Sequence, residues 1–258
     1  MKYIVFTFDD GRSDNYSFAK RIMDKYQFRG TVYVTTGFID GTWEGMDVLK
    51  SPTRPLTAEE IKALHEAGWE IGLHGDKHQT QVDDMRTALK KLEYWGVENY
   101  AWSISVPNST TSEADVERIL DSDYGDKIAY IRRGRRCDTS KLKNKILFVI
   151  YSILKLKSAY RLFNADNVLK LDNVNRANVP CVVVKSNDSP KLILDFANKL
   201  PDKSVLVLML HSILPSSHEL CGKDPWSWDE ALFDQLCAGI KSMEDCNDIK
   251  VLPLIELF

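Results

Sequence analysis

The sequence of 258 residues predicts an α/β fold in which about eight mostly parallel strands form a barrel or a near relative of one. Short apolar runs rich in β-branched and aromatic residues, typical of buried strands, alternate along the chain with stretches that have the spacing of amphipathic helices. No internal repeat interrupts this alternation. Because α/β barrels often extend over about 200–250 residues as one unit, we expect a single domain over residues 1–258.

The alternation of elements begins at residues 3–8, a predicted strand that ends at two aspartates. The strands expected after it are 31–35, 69–73, 100–106, 127–131, 181–185, 205–210 and 250–255. Helices are expected at 14–26, 57–68, from about 80 to 95, and at 113–120, 141–163, 190–200 and 229–243. Thr57 followed by Glu60 matches a capping box, and Pro190 suits the first turn of a helix.

Charge and cysteine content exclude some classes of function. A net charge of -3 and a pI near 6.0 give no general reason to expect nucleic acid as a partner. The five cysteines are odd in number and form no Cys-x-x-Cys pair, which predicts reduced thiols. A strand that starts at Tyr3 leaves no room for a signal peptide ahead of it, so we expect a cytoplasmic protein unless a leader was removed.

Ionisable side chains follow three of the predicted strands. Asp9 and Asp10 follow the first strand, His74 follows the third, and His211 follows the strand at 205–210. In parallel α/β folds the loops at the carboxyl ends of the strands converge on one crevice. We therefore expect these side chains to meet at one rim, although Asp-Gly is also a common turn pair and His211 can be read as a core histidine.

Two histidines and one carboxylate make a candidate metal site. His74 and His78 are four residues apart, so one helical turn would place both imidazoles on the same face. With Asp10 they form a three-ligand set that leaves a position for water, as expected of catalytic zinc. Asp9 could then accept the proton of a water whose pKa the metal lowers from about 15.7 towards ~7, and His211 could protonate a leaving group. The alternative is a pair of surface histidines.

Three motifs in this order resemble a known family. They are Thr7-Phe8-Asp9-Asp10-Gly11, then His74-x-x-x-His78 after an apolar strand, then Leu208-Met209-Leu210-His211. The combination resembles the polysaccharide deacetylases of the NodB-homology type, also called carbohydrate esterase family 4. The resemblance extends over about residues 3–255, essentially the whole chain.

The resemblance implies a distorted (β/α) barrel, with roughly seven to eight mostly parallel strands, that removes an acetyl group from an N-acetylated or O-acetylated sugar. It also implies a divalent metal, usually zinc, with cobalt or nickel able to serve. The roles that it implies are general base for Asp9, metal ligands for Asp10, His74 and His78, general acid for His211, and an oxyanion contact for the Pro107-Asn108 pair through the backbone N–H of Asn108.

The sequence departs from the family pattern at three places. The family usually has an arginine shortly before the proline of the third motif to orient the base, and residues 103–106 contain none. The aspartate that tunes the acidic histidine is not recognisable, with Asp172 and Asp188 as the only candidates. Gly75 replaces a common serine or threonine, which removes a hydroxyl near the metal.

A basic amphipathic segment at about residues 132–163 is not explained by the resemblance. Between 132 and 161 the acid Asp138 stands against ten basic residues: Arg132, Arg133, Arg135, Arg136, Lys141, Lys143, Lys145, Lys155, Lys157 and Arg161. The segment thus carries +9, and the rest of the chain must carry -12 to give the net -3. It suits peripheral contact with an anionic membrane and a lipid-linked glycan as substrate. The alternative is an outer helix with a solvated basic face.

The sequence as a whole predicts a metal-dependent carbohydrate deacetylase. Two alternatives stay open: a carbohydrate-binding protein of the same fold with little or no turnover, which the missing arginine suggests, and a metal-dependent hydrolase of a non-sugar amide such as a cyclic imide. The oligomeric state and the sugar are not predicted.

Overall fold

The computed structural model describes residues 1–45, 49–109, 111–134, 141–246 and 248–258. Its strands are β1 (Lys2–Phe8), β2 (Thr31–Val34), β3 (Glu70–Leu73), β4 (Trp102–Ser105), β5 (Ile128–Gly134), β6 (Leu169–Lys170), β7 (Val179–Pro180), β8 (Val182–Val183), β9 (Ser204–Leu210), β10 (Ser212–Leu214), β11 (Ser227–Asp229) and β12 (Ile249–Val251). The helices are α1 (Arg21–Asp24), α2 (Thr36–Ile39), α3 (Ala58–Glu66), α4 (Val82–Tyr94), α5 (Glu113–Leu120), α6 (Leu142–Leu154), α7 (Lys157–Asn164), α8 (Pro190–Asn198) and α9 (Glu230–Asp245), and a π-helix (Asn15–Lys20) leads into α1.

The main sheet is a nearly closed, mostly parallel barrel. Strands β9, β1, β2, β3, β4, β5 and β7 are neighbours in that order, all in parallel pairs. Only Cys181 separates β7 from β8, and β8 pairs with β9, so residues 179–183 close the sheet between β5 and β9. The predicted distorted (β/α) barrel is confirmed, with the short β6 antiparallel to β9 and β12 beside the first residues of β1.

Alternating side chains of the barrel strands supply two apolar layers. Phe6 and Phe8 of β1 point outward against the helices, where their rings lie 5.6 and 6.0 Å from the ring of Phe233. Val5 of the same strand points into the barrel and belongs to a second cluster that includes Tyr33. This period of two fixes which strand-end side chains face the rim of the barrel.

The single helix predicted over residues 141–163 is wrong. The structure has two helices, α6 and α7, because Lys155 adopts a left-handed conformation with φ of 52° between them. Phe148 and Tyr151 contact the core, whereas Ile146 and Ile153 are exposed.

Two further features concern the lengths of the helices and the thiols. None of the helices in the described part of the chain combines the length and the apolar character needed to cross a bilayer. Cys221, Cys237 and Cys246 are free thiols in the described part of the chain, Cys181 is buried, and Cys137 lies outside the described residues.

Candidate active site

The two aspartates of the first motif lie at the carboxyl end of β1. The chain turns sharply there because Asp10 has φ of 78° and Gly11 has φ of 82°, a region that glycine enters without a steric penalty. The backbone N–H of Asp9 donates to Leu210 of β9, and the carbonyl of Asp10 accepts from Thr35 after β2. Both carboxylates are buried, so the rim of the barrel holds two acids away from bulk water.

The predicted metal ligands come together. The Oδ1 atom of Asp10 lies 3.5 Å from Nε2 of His74 and 3.7 Å from Nε2 of His78. Ligand atoms of all three residues lie within 4.8 Å of one another. Bonds of about 2.0–2.1 Å to a tetrahedral ion would separate such donors by roughly 3.4 Å. Asp10, His74 and His78 can therefore hold one divalent metal ion.

A hydrogen bond from His74 fixes which of its nitrogens is available to a metal. Nδ1 of His74 lies 2.8 Å from the carbonyl oxygen of Ser105, and because a carbonyl only accepts, Nδ1 carries the proton. In the neutral ring Nε2 therefore keeps its lone pair, and Nε2 lies 3.5 Å from Oδ1 of Asp10. A histidine held in this way by a backbone carbonyl is the usual arrangement of a metal ligand.

The predicted helical turn between the two histidines is wrong. Residues 74–78 form a loop in which Gly75 has φ of 81° and His78 has φ of 54°. Asp84 of α4 holds this loop, since its carboxylate accepts from the backbone N–H groups of Lys77 at 2.9 Å and Gln79 at 3.2 Å. A Cβ on Gly75 would lie 2.4 Å from Oδ2 of Asp84, so no serine or threonine fits here.

Arg12 is a site residue that the sequence analysis did not identify. Its guanidinium group is 2% exposed and contacts Oδ2 of Asp10 through Nε at 3.0 Å and Nη2 at 2.8 Å. Burial alone would raise the pKa of Asp10, but Arg12 and then His74 outweigh it and hold that pKa well below its usual range. Arg12 thus holds Oδ2, and Oδ1 stays available to bind a metal ion together with the two histidines.

Arg132 contacts Asp9, as was expected of an arginine that residues 103–106 do not supply. Its Nη2 atom contacts both carboxylate oxygens of Asp9, at 2.6 Å to Oδ2, and also contacts Oγ of Ser105. Ser105 of β4 and Arg132 of β5 are partners in the parallel register, so the arginine comes from the neighbouring strand rather than from the residues before Pro107. The assignment of Arg132 to a membrane-facing basic segment is therefore wrong, because its side chain is 1% exposed.

The Asp9–Arg132 contact keeps the candidate base ionised. Burial would raise the pKa of Asp9, but Arg132, followed by His74 and His211, lowers it below the ordinary value for aspartate. A carboxylate that stays ionised and oriented can accept a proton from a neighbouring water. Ser105 links this acid to the metal site, because its hydroxyl contacts Arg132 while its carbonyl holds His74.

His211 follows β9 and lies against Trp226, with 4.6 Å between the ring centroids. In the described part of the chain, its Nδ1 atom is buried without a hydrogen-bond partner. Burial lowers the pKa of His211 to about 4. The two candidates for the missing aspartate are engaged elsewhere: Asp172 pairs with Lys203 at 3.0 Å, and Asp188 accepts from the backbone N–H of Lys185 at 2.9 Å.

These side chains surround one cavity of about 200 Å³. Its lining brings together all the predicted residues except Pro107, and adds others: Asp9, Asp10, Arg12, Leu49, His74, His78, Asn108, Ser109, Met209, His211 and Trp226. Pro107 lines an adjacent cavity of about 260 Å³ that shares His78 and Asn108 and includes Gln79 and Asp115. Asn108, with φ of 55°, thus lies between the two cavities.

At the carboxyl rim of the parallel barrel, acids, imidazoles and guanidinium groups thus lie close enough together to bind a divalent metal ion and to transfer protons. The sequence model of the family described as polysaccharide deacetylase matches residues 1–119 of this chain. The match confirms, over residues 1–119, the resemblance to the NodB-like polysaccharide deacetylases that the motifs predicted. No curated protein sequence matches the chain.

Solved structures show the same fold over nearly the whole chain. A family 4 acetyl xylan esterase from Clostridium thermocellum, in complex with a cobalt ion, is 15% identical with a TM-score of 0.51, and the match covers 99% of this chain and 90% of that one. A family 4 carbohydrate esterase from Streptomyces lividans, in complex with acetate, is 12% identical with a TM-score of 0.52 and coverages of 96% and 91%.

A third structure is a pseudoenzyme of the same family from Bacillus anthracis, 13% identical with a TM-score of 0.52. The match covers 99% of this chain but 64% of that protein. This chain also spans half of the length of a Streptococcus pyogenes deacetylase that it matches. At these identities the likeness establishes the fold, which active and inactive proteins share.

Proposed function

We propose that this protein is a metal-dependent deacetylase that hydrolyses an acetyl group from an N-acetylated or O-acetylated sugar. The observation that carries the proposal is the convergence of Asp10, His74 and His78 beside Asp9, which Arg132 holds ionised. A structural role alone does not account for the buried Asp9, Asp10 and His74 sharing one cavity with two further imidazoles, those of His78 and His211.

The donor set fits zinc, with cobalt or nickel as substitutes, because two imidazoles and a carboxylate are ligands that these ions accept. When bound, the ion would polarise the acetyl carbonyl and lower the pKa of water towards ~7. His74 and His78 would hold it through Nε2, and Asp10 through Oδ1, while Arg12 keeps the second oxygen of Asp10 in place.

The residues around the metal site divide the proton transfers between them. Asp9 accepts the proton of the attacking water, and Arg132 and Ser105 hold its carboxylate for that step. The backbone N–H of Asn108, at the border of the cavity, donates to the oxyanion. His211 protonates the departing sugar amine or hydroxyl, and acetate is the second product.

The adjacent cavity suits the rest of a sugar chain. Gln79, Gln81 and Asp115 supply donors and acceptors for hydroxyl groups next to the cavity that takes the acetyl group. Trp226, which lines the acetyl cavity, offers an aromatic face of the kind that packs on sugar rings. Trp228 does not serve in this way, since it is buried and its indole N–H donates to the carbonyl of Asp188 at 3.0 Å.

Acetate release tests the proposal directly. The protein, with zinc or cobalt added, is incubated with N-acetylated oligosaccharides, acetylated xylan and a panel of non-sugar amides that includes cyclic imides. The proposal expects acetate from at least one of the sugars. Ring opening of an imide without acetate release would instead support the non-sugar hydrolase.

The inactive carbohydrate-binding protein remains a second candidate because of one observation, the Nδ1 atom of His211 that has no partner within the described residues. Saturable sugar binding without acetate release in the same assay would favour it. The predicted cytoplasmic location and lipid-linked substrate remain predictions.

The pH dependence of kcat/KM is expected to report on His211. At pH 7 a group whose pKa is about 4 is protonated in only roughly one molecule in a thousand. If the protonated imidazole is the acid, kcat/KM should rise about tenfold for each pH unit as the pH falls from 8 to 6. The His211→Gln variant should be slower by roughly 10² or more and should lose this slope.

The metal content measured at each pH serves as the control, because protons also compete for the histidine ligands. A wild-type profile that is flat between pH 6 and 8, with the metal still bound, would contradict the role of His211 as a proton donor with a lowered pKa.

A further inference from the structure

The outer face of α6 carries a stripe of exposed apolar side chains. Leu142, Ile146, Val149 and Ile153 are between 50% and 72% exposed, and their spacing of four, three and four residues places them on one side of the helix. Three leucines at or beyond the end of α6 are also exposed: Leu154, Leu156 and Leu162. Contiguous exposed apolar surface of this kind marks an interaction site.

The core does not require this stripe. The opposite face of α6 is also apolar and packs against α7, with ring centroids 5.9 Å apart for Phe148 and Phe163 and 5.2 Å apart for Tyr151 and Tyr160. The helix is therefore anchored by its inner face alone. Its outer face exposes large aliphatic groups to water at a cost that folding does not explain.

The charge around the stripe is of one sign. Residues 141–164 contain six basic residues and no acid. Lys141, Lys143 and Lys145 are exposed at the start of α6, where the helix dipole disfavours cations. Their placement works against helix stability, which indicates that they serve an external partner that is anionic.

We propose that the outer face of α6 and its flanking lysines form a docking surface for an anionic lipid bilayer. An interfacial helix of this type buries its aliphatic stripe at the boundary of headgroups and acyl chains, while basic side chains contact the lipid phosphates. A second copy of the chain fits less well, since self-association through this face would bring Lys141, Lys143 and Lys145 of two molecules together.

The docking surface lies beside the rim that carries the active site. Nζ of Lys155, at the end of α6, donates to the carbonyl of Asn187 at 2.5 Å. Asn187 belongs to the loop after β8, which leaves the barrel at the same edge as His211 after the parallel strand β9. Resting on the function proposed above, this arrangement would present the cavity to a glycan carried on a membrane lipid.

Flotation of the full chain with vesicles tests the surface. The wild-type protein should float with vesicles of phosphatidylcholine containing 30% phosphatidylglycerol and much less with phosphatidylcholine alone. Each basic residue near an anionic surface strengthens partitioning about fivefold, so the variant with Lys141→Gln, Lys143→Gln and Lys145→Gln should lose about 10²-fold. The variant with Ile146→Gln, Val149→Gln and Ile153→Gln should lose binding to both kinds of vesicle.

A matched variant tests whether flotation depends on this surface or only on the net charge of the protein. Lys62→Gln, Lys170→Gln and Lys199→Gln together make the same change in net charge at exposed positions outside α6 and α7, and should leave flotation unchanged. All the substituted side chains are exposed in the folded chain, and thermal unfolding verifies that each variant is folded.

Several results would overturn the proposal. These are no flotation of the wild-type protein, flotation that is equal for both lipid compositions, and flotation that survives the stripe variant. A concentration-dependent dimer that the stripe variant abolishes, without vesicle binding, would assign the face to a second copy. Acetate release from water-soluble oligosaccharides needs no vesicle and flotation needs no substrate, so each proposal can fail without the other.

Discussion

The Asp9→Asn variant is expected to lose activity by roughly 10²–10⁴-fold in kcat/KM while it still binds one metal ion. The amide keeps the size of the side chain and can still accept from Arg132, but it has no basic site for a proton. Steady-state acetate release and the metal content of the purified variant are the two measurements. Together they distinguish loss of the general base from loss of the metal site.

The adjacent Asp10→Asn variant is the matched control, because it makes the same chemical change one residue further along. It should lose the metal as well as activity, since an amide is a poor substitute for the carboxylate ligand. Equal metal affinity in the two variants would contradict the division of roles between Asp9 and Asp10. Full activity of Asp9→Asn would contradict its role as base.

The Arg132→Met variant is expected to be strongly destabilised as well as inactive. Removing one partner of a buried ion pair typically costs about 3–5 kcal/mol in the free energy of unfolding, because it leaves the other charge uncompensated. Here the uncompensated group is the carboxylate of Asp9, whose lowered pKa depends on this guanidinium. Denaturant unfolding followed by circular dichroism gives the change.

The pH dependence of that destabilisation has a definite sign. The pKa of Asp9 is below its unfolded value in the wild-type chain, so the pair contributes stability above pH ~4 and loses it as the pH falls. The difference between wild type and Arg132→Met should therefore shrink as the solution is made more acid. A difference that grows towards low pH would contradict the assignment.

Arg133→Met is the control for this variant, since the same substitution is made at the next residue. Arg133, whose side chain is 15% exposed, pairs with Glu113, whose side chain is 76% exposed, and a pair with one partner in solvent is expected to contribute about 1 kcal/mol. Equal free energies of unfolding for Arg132→Met and Arg133→Met would contradict the contribution to stability that is expected of the buried Asp9–Arg132 pair.

Local patterns in the sequence were sufficient for the barrel and for the positions of its acids and imidazoles. Short β-branched runs locate the strands, and the first polar residue after a buried strand lies at the rim wherever the sheet is parallel, which is why Asp9, His74 and His211 could be placed together. The two-residue strands, such as β6, are too short to have a pattern of their own.

The parts that local patterns missed depend on contacts between distant residues. Arg132 reaches Asp9 only because β4 and β5 pair with Ser105 opposite Arg132, and that register is not visible from spacing along the chain. The loop that brings His78 to Asp10 depends on Asp84 in the next helix. Arg12 was missed for the same reason. It belongs to the site through contacts with Asp10 and with Ser212, which lies 200 residues later in the chain.

The orientation of α6 could not be predicted from the sequence for a different reason. Both faces of this helix are apolar, so periodicity predicts the helix but not the face that turns inward. The aromatic side chains of α7 decide it, since they complement Phe148 and Tyr151 on one face only.

Anomalous diffraction at the zinc edge from crystals soaked with zinc tests the central claim most directly. The account predicts one strong peak within bonding distance of Oδ1 of Asp10 and of Nε2 of both His74 and His78, and no such peak in crystals of Asp10→Asn. A zinc-loaded crystal in which the ion lies elsewhere, or in which these three donors do not share it, would contradict the claim.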